Sequence, residues 1–177
     1  SDFAKLLRTR VNNPIARLMV FYTAYLNGHD DKILYTYNHD LGNTPLGGVP
    51  HPQINYAGRK VYFTTNYACK TNQNGYTTPY AVFESFEKSI DFIYNWFYNP
   101  TKPVNSLLYT LYPNWDIKDE VNTPIKMAYT WVYYWPTQNY TSETELGTFL
   151  SQNESTRVKL FDSASKVIQL CKTYNLI

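Results

Sequence analysis

Apolar residues recur along this chain with two periods, one near 3.6 residues and one of 2. Residues 1–10 form a short amphipathic piece. Asn13-Pro14 marks a helix start, because Asn accepts from first-turn amides and Pro suits the first helical position. Ile15, Leu18, Met19, Tyr22 and Leu26 then share one face, and Asn27-Gly28 is the stop. Phe86, Ile90, Ile93 and Phe97 repeat the helical spacing up to Asn99-Pro100. Val104, Leu107, Leu108 and Leu111 predict a helix that Pro113 closes. Thr123-Pro124 opens another, with Ile125, Ala128, Tyr129 and Val132 on one side and Pro136 at its end. Ser142 and Glu145 form a capping-box pair ahead of Leu146, Phe149 and Leu150. Val158, Phe161, Ser165 and Ile168 carry a last helix to about Tyr174.

The period of 2 is confined to residues 54–82. Ile54, Tyr56, Val61 and Phe63 alternate with polar neighbours around Ala57-Gly58. A second turn signal, Asn72-Gln73-Asn74-Gly75, precedes Tyr76, Thr78, Tyr80 and Val82. Residues 29–53 hold all three histidines and read as irregular loop, with a short helical turn at 31–37. The order is helix, loop, small sheet, then several helices. It predicts one domain spanning 1–177, of α+β class and mainly α, with a small antiparallel hairpin or sheet near 54–82. The 177 residues suffice to bury a core without staples.

Composition adds little chemistry. The formal charge is +2 and the basic residues are scattered, whereas a phosphate-tracking surface needs several on one face; nucleic acid is set aside as a partner. Residues 1–10 lack the long apolar segment of a signal peptide or membrane span, and no membrane span is expected. Cys69 and Cys171 are either buried thiols, the favoured reading, or one disulfide. Asn139-Tyr140-Thr141 and Asn153-Glu154-Ser155 fit the glycosylation pattern and are read as chance matches. The 18 tyrosines carry more weight. A ring with a hydroxyl suits both a core and a groove for hydroxylated ligands such as sugars.

Three segments taken together resemble the glucosaminidase branch of the lysozyme-like peptidoglycan hydrolases, the type found in autolysins and phage virions. The first is Ala16-Arg17-Leu18-Met19 leading to Leu26-Asn27-Gly28-His29. The second is Asn43-Thr44-Pro45-Leu46-Gly47-Gly48-Val49. The third is Phe83-Glu84-Ser85-Phe86-Glu87-Lys88-Ser89-Ile90-Asp91. Residues 14–98 are covered. The resemblance implies a lysozyme-like fold, a peptidoglycan or other glycan ligand, and a virion or cell-envelope location. It also exposes a departure. The family's general acid precedes Ser/Thr-Gly, and Leu26 stands at that position. No Asp or Glu lies between Leu41 and Phe83, where the family draws a second acid.

The remaining candidates are weighed residue by residue. Asp30 and Asp31 are displaced acids, or a solvated loop pair that caps the next turn. Glu84 and Glu87 suit a helix start through the dipole better than they suit catalysis. His29, His39 and His51 match no zinc spacing, so no metal and no cofactor is expected. Cys69 fits a core strand better than a nucleophile pair. Trp131, Tyr133, Tyr134 and Trp135 cannot all face a core from successive helical positions. A ligand surface is therefore expected from Tyr56, Tyr62, Tyr67, Tyr76, Tyr80, Trp131 and Trp135. Two functions follow. One is a degenerate glucosaminidase that binds cell-wall glycan or serves as a structural or interaction piece with protein partners. The other is an active peptidoglycan hydrolase using Asp30 and Asp31.

Overall fold

The computed structural model describes residues 2–26, 49–50, 55–56, 59–60, 67–71, 77–81, 86–101, 112–134 and 142–177, the strand segments as backbone. The helices are α1 (Asp2–Arg10), α2 (Pro14–Leu26), α3 (Phe86–Ile93), α4 (Asn122–Tyr134), α5 (Glu143–Gln152) and α6 (Glu154–Thr173). The expected helix at 104–111 and the turn at 31–37 lie outside the described residues.

Helix α2 begins where Asn13 and Pro14 place it: the Asn13 carboxamide oxygen accepts from the Ala16 amide at 2.9 Å. Its burial is wider than one stripe. Ala16 and every residue from Leu18 to Ala24 are buried. A helix that is apolar nearly all round belongs inside a bundle. It packs on α4, on α6 and on the segment that follows α3. Two of its hydroxyls find partners there. Tyr22 donates to the Leu160 carbonyl at 2.7 Å, and Thr23 shares a 2.8 Å hydrogen bond with Tyr98.

Helix α1 buries Phe3, Ala4 and Leu7, with Val11 just beyond its end. Phe3 meets Phe21 of α2 edge to face, ring centroids 5.5 Å apart. Each such fully buried side chain contributes about 1.5–3 kcal/mol of apolar transfer. Arg17 ties the two helices together. Its guanidinium donates to the Val11 carbonyl at 2.6 Å, to the Arg8 carbonyl at 3.1 Å and to the Leu176 carbonyl at 3.4 Å. It thus satisfies carbonyls that the end of α1 leaves open.

Helix α3 passes into a π turn, Tyr94–Tyr98. The wider turn brings Tyr98 into the core beside Phe97, where a regular helix would swing it away. The turn stops at Asn99, which is extended (φ −81°, ψ 116°) because Pro100 follows. The Asn99 side chain donates to Asn95 and accepts from the amide and hydroxyl of Thr101.

The α+β expectation is corrected: among the described residues, the packed body is helical. Among the described residues, the hydrophobic core comes from helices and the segments adjoining them. Short extended backbone ladders lie between α2 and α3: β1 (Val49–Pro50), β2 (Asn55–Tyr56), β3 (Arg59–Lys60), β4 (Tyr67–Thr71) and β5 (Thr77–Ala81). Strand β5 sits between β1 and β4, and β2 pairs with β3. Their contacts run chiefly to one another, not to the helices. An α+β domain needs a sheet whose apolar face is covered by helices. Among the described residues, the core cluster takes no side chain from these strands.

Helix α6 carries a second correction. The expected face was Val158, Phe161, Ser165 and Ile168. The buried stripe is Leu160, Ala164, Val167, Leu170 and Cys171. Val158 and Ser165 are exposed, and Phe161 and Ile168 are half-buried. The helix is therefore rotated by about one residue, roughly 100°, from the expected orientation. That rotation leaves the Ser165–Ile168 side free to line a cleft.

Candidate functional site

The turn between residues 112 and 122 is built by short polar side chains. The Asp116 carboxylate accepts from the Lys118 amide at 3.0 Å. The Asp119 carboxylate accepts from the amides of Val121 and Asn122 and from the Asn122 side chain, at 2.8–3.1 Å. These bonds, the Asn122 side chain first, hold the Asp119 carboxyl below its ordinary range. Thr123 anchors the start of α4: its hydroxyl accepts from the Trp115 indole at 3.2 Å. Trp115 is buried and meets Tyr112 edge to face at 5.9 Å. The Lys126 ammonium lies 5.4 Å from the centre of the same Tyr112 ring. Burial, then Glu143 beside it, pushes the Tyr112 phenol up.

Opposite this turn, α6 ends in a Schellman motif. Leu176 donates to the Cys171 carbonyl at 2.8 Å, Asn175 donates to Lys172 at 3.2 Å, and Asn175 is left-handed with φ 57°. The motif folds the chain back so that Leu176 is buried and Ile177 returns towards α4.

Between the two lies an open cleft of about 420 Å³. Ile117, Pro124, Ile168 and Ile177 give it hydrocarbon walls; Thr123, Ser165 and Gln169 add neutral polar groups. Lys118, Lys172 and Glu120 complete the lining, with Lys172 and Glu120 paired at 3.5 Å. The Glu120 side chain is 83% exposed. Among the described residues, no aromatic side chain lines the cleft.

Among the described residues, none of the expected site residues lines this cleft. Asp30, Asp31, Glu84, Tyr62, Tyr76 and Trp135 lie outside the described residues, as do His29, His39 and His51. Tyr56, Tyr67 and Tyr80 fall on strand backbone, and their side chains are outside the description. Leu26 is half-buried at the end of α2 and packs against the core. Trp131 is half-buried against the core too, with its indole N–H enclosed and without a hydrogen-bond partner. Cys171 is a buried free thiol, and burial pushes it up, away from the thiolate a nucleophile needs. Among the described residues, no group of histidine, cysteine and carboxylate ligands comes together as a metal site. No described helix is long and apolar enough to cross a membrane.

Sequence reasoning missed the cleft because its residues belong to two distant segments. Lys172 and Glu120 are unremarked surface charges until folding brings them to 3.5 Å. The available signal was the Asp116-Ile117-Lys118-Asp119-Glu120 run, which puts Asx-type turn chemistry just ahead of a helix start. The chain matches no family model, no curated protein and no solved structure.

Proposed function

We propose that this chain is a non-catalytic interaction module, holding an apolar segment of a partner between the 112–122 turn and α6. The observation that carries the reading is the cleft lining. A glycosidase places two carboxyl groups across the scissile bond and keeps one of them protonated by burial. Among the described residues, this cleft is lined by a single carboxylate side chain, Glu120, and that one is exposed and paired with Lys172. Sugar binding would favour ring faces. The walls here are the branched hydrocarbon of Ile117, Ile168 and Ile177. Branched aliphatic walls suit aliphatic side chains, and a pocket of a few hundred Å³ is in the usual range for a specific small-ligand or side-chain site.

The glycan alternative has a direct test. The chain is mixed with purified insoluble peptidoglycan, and separately with chitin, and centrifuged. It is expected to stay in the supernatant with both. Saturable retention, competed by soluble oligosaccharide, would overturn the interaction-module reading in favour of a glycan-binding one.

A further inference from the structure

We draw no further inference here: the strongest candidate, the aliphatic-walled cleft between the 112–122 turn and α6, belongs to the site already described, and nothing in the structure shows what covers it.

Discussion

At the scale of single residues, burial without a partner is the most informative feature. Thr130 is buried in α4, and its hydroxyl has no hydrogen-bond partner. Replacing it by Val keeps the shape and the β-branch while removing a group that was desolvated without compensation. Thr130→Val is expected to raise stability by about 1 kcal/mol, read as a higher urea midpoint with unchanged slope. A loss of stability would mean that the hydroxyl is satisfied. Tyr22 is the opposite case, buried and bonded to Leu160. Burial, then Tyr98 nearby, lifts its phenol well above the ordinary 10.0. The folded state therefore holds the neutral phenol where an unfolded tyrosine ionises. Its contribution is fully present below about pH 10 and is lost as pH rises from there towards the folded value. The Cys171 thiol acts with the same sign from its ordinary value of 9.0 upward. Urea midpoints should be level between pH 7 and about pH 9 and fall steadily above it. Tyr22→Phe should make that fall shallower. A midpoint that rises above pH 10 would contradict this account.

At the scale of elements, helix existence was legible and helix orientation was not. Asn13-Pro14 and Ser142 gave correct starts because capping is local: Ser142 accepts from the Glu145 amide at 3.2 Å. Orientation is set by what the helix meets. On α6 the run Val158, Phe161, Ser165, Ile168 has the helical period, yet so does Leu160, Ala164, Val167, Cys171. The second stripe is the one buried, and its helix packs on α2. On α2 the five-residue face was only part of a helix buried nearly all round, since Thr23 and Tyr22 can enter the core once their hydroxyls are bonded. The end of α6 makes its own prediction. Asn175 sits at φ 57°, where a side chain with a Cβ is strained and glycine is not. Asn175→Ala should cost about 1 kcal/mol, and Asn175→Gly should cost nothing or gain a few tenths. Thermal unfolding of the two variants checks this. Equal losses would mean that the Schellman turn does not hold the end of the helix.

At the scale of the whole molecule, the sequence points to helices and a core, but not to the layer that holds them. Alternation at Ile54, Tyr56, Val61 and Phe63 reads as a sheet face, and a period of 2 carries no information about what covers that face. Among the described residues, the helices cover one another instead. The candidate site was still less legible, because a cleft between residues 117–124 and 165–177 exists only after the chain has folded. What the sequence did carry is the hydrocarbon at Leu26, where a glucosaminidase of the resembling family has its acid. General acid catalysis contributes about 10²–10⁴-fold to such a reaction, so a chain of that kind with Leu26 there would need Asp30 or Asp31 in its place. The most direct measurement is therefore release of reducing sugar from purified peptidoglycan by the whole chain, beside the Asp30→Asn, Asp31→Asn double variant. The account predicts no release above the no-protein blank from either. Release by the unaltered chain that the double variant abolishes would contradict it and make the protein a hydrolase with displaced acids.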